Sequence, residues 1–217
     1  MTIAIIGTGS IGSALAQDLV GSGETILLAG RDDDKTRTAA AAINASIEAT
    51  SVADAIARAD IVVPAIWLDA LKALLSDHAD ALAGRIIVDP SNPIEDDGQG
   101  GFRKTLPADQ SSGQLVGTLL PLGARLVKAF GTLSAGSLRS AAHQSPLVVG
   151  FYATDDTIAG DDVADLIGAA GFDPVFVGGM DQSARIEVFG DLHEFGGLGQ
   201  PATRETAVRA LHTVARS

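Results

Sequence analysis

The sequence predicts an α/β protein: a Rossmann-type, doubly wound and mostly parallel sheet whose C-terminal strands and helices complete one compact unit. Three observations carry that prediction. A glycine-rich turn joins an apolar strand to a helix at the N-terminus, strand-like and helix-like segments alternate as far as Val177, and the chain is 217 residues long with 46% hydrophobic residues.

The first element is Thr2–Ile6, which runs into Gly7-Thr8-Gly9-Ser10-Ile11-Gly12 and then a helix with the apolar stripe Ile11, Leu15, Leu19 and Val20. Gly7 permits the tight turn, Gly9 lets backbone N–H groups close on a pyrophosphate, and Gly12 lets the helix pack against the strand. The helix presents its positive end to the phosphates. Spacing alone is a weak signal in a chain with 25 glycines, and the apolar flanks strengthen it.

Gly21-Ser22-Gly23 stops the helix, and residues 24–29 form the second strand. That strand leads to Gly30-Arg31, without the Asp or Glu that accepts ribose hydroxyls in NAD-selective folds. Arg31, with Lys35 one turn later, suits a 2′-phosphate; otherwise Arg31 is a solvated loop charge. Asp32, Asp33 and Asp34 read as a helix start, one capping and the others in the first turn. A helix over 32–43, a strand over 45–49, a helix over 51–59 and a buried strand over 60–66 follow. At that strand's C-terminal end, Trp67 either packs on a helix or walls the cofactor. His78 is expected to be exposed.

Residues 85–89 form a fifth strand, closed by Pro90-Ser91-Asn92-Pro93. Asn92 either aims its amide at a carboxamide or ribose, or forms a turn with its own backbone. Residues 95–113 read as an irregular loop, either a cover over the substrate or a tolerated insertion. A helix over 111–119, strands over 124–131, 147–152 and 174–177, and a helix over 161–170 complete the alternation. From residue 181 a helix leads into Phe195-Gly196-Gly197-Leu198-Gly199-Gln200-Pro201, and a last helix starts at 202.

Composition excludes several functions. A net charge of −12 opposes a nucleic-acid or anionic-membrane surface, and the absence of cysteine removes disulfides and thiolate chemistry. The longest later apolar run, 61–75, contains Pro64, Asp69 and Lys72, so no membrane span is expected; nor is a signal peptide, and the expected location is cytoplasmic. No catalytic triad, carboxylate pair or metal-ligand spacing is evident, so no catalytic or metal residue is assigned. His143 and His193 either touch an acceptor or are ordinary loop and helix residues.

Taken together, the blocks Ile5 to Gly12, Gly30-Arg31-Asp32, Asp89-Pro90-Ser91-Asn92-Pro93, Val127-Lys128-Ala129-Phe130 and Gly179 to Glu187 resemble the NADPH-dependent coenzyme F420 reductases (F420H2:NADP oxidoreductases) and their relatives, the reductase domains of eukaryotic metalloreductases. The resemblance covers nearly the whole chain. It implies NADP as cofactor, with Gly7, Thr8, Gly9, Ser10, Ile11, Gly12, Arg31 and Lys35 around the adenosine phosphates and pyrophosphate. It places Ile66, Asn92, Ala129 and Leu133 along the ribose and nicotinamide, where Trp67 joins the cofactor-binding set by its position at the strand end. Hydride would pass directly from nicotinamide C4 to C5 of a diffusing deazaflavin, chemistry that needs positioning more than acid–base groups.

It further implies a dinucleotide-binding domain over 1–178, a C-terminal helical segment over 179–217 that completes the acceptor pocket, and a homodimer. Gly131 stands where family members often carry Asn or His, and the glycine-rich segment ends in Pro201; both departures fall on the acceptor side. Pyrroline-5-carboxylate reductases and 3-hydroxyacid dehydrogenases share the N-terminal half, but add an all-helical domain for which fewer than fifty residues remain here. A flavin or quinone reductase, or an NADP-binding sensor without turnover, are the alternatives.

Overall fold

Both faces of the predicted central strands are apolar, so the sheet needs helices on each side. The computed structural model, which describes residues 1–214, shows this layering. The elements run β1 (Thr2–Ile6), α1 (Ser10–Asp18), β2 (Thr25–Ala29), α2 (Asp33–Ile43), β3 (Glu48–Thr50), α3 (Val52–Arg58), β4 (Ile61–Pro64), α4 (Leu68–Asp77), α5 (Ala79–Leu82) and β5 (Ile86–Asp89). They continue with β6 (Ile94–Asp96), β7 (Phe102–Lys104), α6 (Ser112–Gly117), β8 (Arg125–Ala129), α7 (Ala135–Ala141), β9 (Val149–Ala153), α8 (Thr157–Ala169) and β10 (Asp173–Phe176). A 3-10 segment (Met180–Ile186) and α9 (Arg204–Val214) close the chain.

The eight-stranded sheet has the order β10-β9-β8-β5-β4-β1-β2-β3, and all neighbours are parallel except β8 and β9. Alternation along β1 divides the core. Ile3 and Ile5 pack with Leu15 of α1, Leu138 of α7 and Val163 and Leu166 of α8, whereas Ala4 and Ile6 pack with Ile56 of α3, Leu71 and Leu75 of α4 and Val116 of α6. A third cluster joins Val149, Phe151 and Val175 of β9 and β10 to Ile186, Leu192 and Ala207. The C-terminal segment thus closes over the β9–β10 end of the sheet. Among the described residues no helix is long and apolar enough to cross a membrane.

Several sequence expectations shift. The strand expected over 45–49 is Glu48–Thr50, displaced toward the register that pairs Leu27 with Glu48. The irregular stretch 95–113 contains the antiparallel β6–β7 hairpin, whose tip is held by Asp97 accepting from the N–H groups of Gln99 and Gly101 at 2.7 and 2.9 Å. The helix expected from 181 is a 3-10 segment followed by turns, because residues 187–197 fold back on the loop after β8 instead of extending. Helices α4, α5 and α7 have no counterpart among the expected elements, and His78 is half-buried at the junction of α4 and α5 rather than exposed.

Candidate functional site

Strand order reverses between β1 and β4, which opens a crevice at the C-terminal rim of the sheet. The three glycines of the first turn behave differently there. Gly7 has φ +121°, and a Cβ on it would collide with the Ala65 carbonyl oxygen; a Cβ on Gly12 would collide with the Gly7 carbonyl. Around Gly9 a Cβ would meet nothing within 4 Å. The fold itself therefore demands Gly7 and Gly12, while the room beside Gly9 lies open for a ligand.

Helix termini reinforce the contrast. α2, α3, α6, α7 and α8 are capped by the side chains of Asp32, Ser51, Ser111, Ser134 and Asp156. α1 begins at Gly9 with no side-chain cap and no acid in its first turn, so its free N–H groups and positive end suit a pyrophosphate. The Ser13 hydroxyl donates to the Thr8 carbonyl at 3.3 Å and steadies the turn.

Arg31 is exposed and has no hydrogen-bond or ion-pair partner among the described residues. The three acids beside it are occupied. Asp32 accepts from the Lys35 N–H at 3.0 Å, which holds its carboxyl below the ordinary range, and pairs with the Lys35 ammonium at 3.4 Å; Asp34 pairs with Arg37. Asp33 lies in the first turn of α2, as the helix-start reading required. Thr8, Asp34, Lys35, Thr38 and Ala39 line a groove of about 430 Å3. These residues fit a dinucleotide phosphate.

Further along the rim, Ile66 is half-buried, its Cγ2 lying 3.0 Å from where a Gly7 Cβ would sit. Trp67 is 59% exposed and contacts Phe102 of the hairpin, ring centroids 6.4 Å apart, so it is not a core-packing aromatic. The remaining predicted residues face inward. Ala129 and Leu133 are buried in the core. Asn92 uses both ends of its amide, donating to the Gly131 carbonyl at 2.9 Å and accepting from the Val188 N–H at 2.7 Å. It neither forms a local turn nor lies open.

His193 completes this corner. Its Nδ1 accepts from the Phe195 N–H at 2.9 Å, which places the ring proton on Nε2, 3.1 Å from the Gly131 carbonyl. Burial holds its pKa below the ordinary value, against the opposing pull of Glu194 and of the Gly131 hydrogen bond. Glu194 accepts from Ser137 Oγ at 2.6 Å and from the Ser134 N–H, so it caps α7. His143 lies elsewhere, with Nε2 3.1 Å from the Asp18 carbonyl at the end of α1 away from the turn.

Sequence reasoning missed the most deeply buried charges. Lys128, 1% exposed, donates to Asp89 Oδ2 at 2.8 Å, Ser112 Oγ at 2.9 Å and the Ser91 carbonyl, and lies 4.0 Å from Glu187 Oε1. Glu187 in turn accepts from the N–H groups of Ser112 and Gly113 at 3.1 and 2.9 Å. The available signal was a lysine within the apolar run Leu126-Val127-Lys128-Ala129-Phe130, since a buried cation needs carboxylate partners. Next to this network Ser91 Oγ is buried with no partner. No group of three or more His, Asp or Glu among the described residues is placed to hold a metal ion.

Sheet order and glycine turn define a Rossmann-type α/β protein with a turn of the dinucleotide-binding kind. Residues 2–93 match the family described as NADP oxidoreductase, coenzyme F420-dependent. Metalloreductase STEAP3 of Rattus norvegicus is 28% identical over 188 residues, 85% of this chain and 35% of the relative. F420-dependent NADP reductase of Methanothermobacter thermautotrophicus is 29% identical over 148 residues, 64% of each chain. The chain thus spans about a third of the first relative and less than two thirds of the second.

Among solved structures, Sinorhizobium meliloti SMa0349 superposes with a TM-score of 0.82 at 29% identity, covering 94% of this chain and 96% of its own. An Arthrobacter sp. FB24 protein assigned as an F420-dependent NADP reductase gives 0.72 at 25% identity, covering 83% and 86%.

Proposed function

We propose that this protein is an NADP-dependent oxidoreductase that transfers hydride directly between NADPH and a deazaflavin of the F420 type. The observation that carries the reading is the open phosphate cradle: free space at Gly9, an uncapped α1 and an unpaired Arg31 beside it. Thr8, Ser10 and Ile11 hold the pyrophosphate through the turn and the first helical N–H groups, and Arg31 with Lys35 grips the 2′-phosphate. NADPH held there would supply a hydride from C4 of its dihydronicotinamide, leaving NADP+, and the deazaflavin would be reduced by that hydride at C5 and a proton from water on its ring nitrogen.

The protein's own contribution is placement. Asp89, Lys128, Glu187, His193 and Glu194 are committed to one another or to backbone, so they fix the rim's shape and leave the chemistry to the two rings. Of the segment 179–217, whose residues 215–217 lie outside the described residues, 179–214 complete the acceptor pocket in this reading, supported by the bonds from Val188 to Asn92 and from Ser137 of α7 to Glu194. The resemblance also supports a homodimer in the cytoplasm, which sedimentation and fractionation test respectively.

The deciding experiment is anaerobic NADPH oxidation with a panel of a 5-deazaflavin, FMN, riboflavin and a quinone. Turnover fastest with the deazaflavin is expected. Preference for FMN or the quinone would move the protein to the flavin or quinone reductases, and NADPH binding without turnover on any acceptor would make it a sensor.

A further inference from the structure

Two large aromatic side chains lie exposed side by side where the sheet rim meets the hairpin. Trp67 is the N-cap residue of α4, one residue after Ile66 at the glycine turn, and Phe102, 48% exposed, opens β7. The hairpin is built from two three-residue strands and is mostly exposed, a unit with little stability of its own. Its base is tied to the rim corner by the Thr105 N–H donating to the Pro93 carbonyl at 2.8 Å, and an Arg103–Glu95 pair at 2.9 Å braces one face. The other face carries Phe102 and Lys104, which share it by the two-residue period of a strand. Asp96 lies opposite Phe102, with its carboxylate accepting from the Gly98 N–H at 2.7 Å. The Lys104 ammonium has no hydrogen-bond or ion-pair partner among the described residues.

Exposed apolar rings beside an unpaired cation are complementary to a flat conjugated ring with an anionic tail. We propose that Trp67 and Phe102 form a clasp that receives the ring of the hydride acceptor, with Lys104 meeting the acceptor's anionic tail. This rests on the reductase reading and deepens it: the hairpin selects planar aromatic acceptors, and Phe102 and Lys104 are specificity residues. Stacking on the clasp orients the ring at the end of the rim where Ile66 leads from the phosphate turn.

The test uses the full chain saturated with NADP+, so that the dinucleotide cleft is filled, and follows FMN and riboflavin binding by equilibrium dialysis. Phe102→Ala and Trp67→Ala should each weaken FMN about tenfold, and Phe102→Tyr should stay within about twofold of the parent. Lys104→Ala should weaken FMN about fivefold and leave riboflavin unchanged, since only FMN carries the phosphate. Circular dichroism checks that each variant is folded.

A parent protein that binds neither ring, or alanine variants that bind FMN as the parent does, would overturn the clasp. Equal effects of Lys104→Ala on FMN and riboflavin would overturn the tail contact. Failure of the reductase reading looks different: FMN binds through the clasp, yet no acceptor supports NADPH oxidation. Conversely, turnover with an acceptor KM unchanged in Phe102→Ala would remove the clasp and leave the reductase standing.

Discussion

The two ends of the sheet rim spend their polar groups in opposite ways. From Gly7 to Arg31, the first N–H groups of α1 have no side-chain cap and the Arg31 guanidinium has no partner among the described residues. At the other end, around Asp89, Asn92, Lys128 and Glu187 to Glu194, the acid, amide, imidazole and ammonium groups engage one another or the backbone: Asp89 with Lys128, Glu187 with the Ser112 N–H, Asn92 and His193 with Gly131, Glu194 with α7. On the proposed function the unmatched end is the one that binds, and the matched end is the one that holds its shape. Variants can therefore be sorted in advance, with losses of affinity at one end and losses of stability at the other.

Lys128→Met tests the matched end most severely. It strands Asp89 and Glu187 in the interior, and urea unfolding should show a loss of roughly 3–5 kcal/mol. Adding Asp89→Asn and Glu187→Gln should recover part of that loss; a single variant as stable as the parent would mean the network pins nothing. Arg31→Ala tests the unmatched end. Calorimetry should show NADPH weakened by about 1.5–3 kcal/mol with NADH little changed and stability intact. Equal losses for the two dinucleotides would remove the 2′-phosphate role.

Two buried groups sharpen the comparison through pH. Asp18 has one carboxylate oxygen buried without a partner, and burial pushes its pKa up to about 6 while His143 and Arg139 act against the rise. The folded state thus holds this proton more tightly than the unfolded chain. The associated stability is fully present below the ordinary value of 3.8 and is lost as pH rises through about 6. Asp18→Asn should accordingly stabilise the protein at pH 8 by about 1–2 kcal/mol and give no gain near pH 4, read from thermal unfolding.

His193 has the opposite sign and the smallest expected effect. Its lowered pKa means that the unfolded chain takes the proton first, so its contribution is present above the ordinary 6.5 and is lost as pH falls through the folded value. His193→Gln should flatten the acid side of the stability profile. An unchanged acid limb would mean that the Phe195 N–H to Nδ1 bond does not hold the ring neutral.

Legibility in the sequence followed the range of the interactions. The glycine turn, an acid cap among Asp32 to Asp34 and the alternation of strand and helix are set by neighbours within a few residues, and they can be read directly. The hairpin escaped because Asp96-Asp97-Gly98-Gln99-Gly100-Gly101 is dominated by turn residues, and its strands are too short to show a period. The fate of Asn92 could not be read at all. Its amide is satisfied by Gly131 and Val188, 39 and 96 residues away, and such pairings exist only once β5, β8 and the C-terminal segment meet. The same holds for Lys128, whose type signalled a buried pair without naming the partners.

The reversal between β8 and β9 bears on how the C-terminal segment is held. Lys128 and Ala129 pair with Ala153 and Tyr152, so Val149, Gly150 and Phe151 lie beyond the point where β8 ends. β10, parallel to β9 and pairing Asp173 with Val149, overhangs with it. At about 3.3 Å per residue this makes a parapet roughly 10 Å tall across one end of the rim. Its apolar side chains Val149, Phe151 and Val175 are covered by Ile186, Leu192 and Ala207, so the overhang is the anchorage on which the C-terminal segment is mounted.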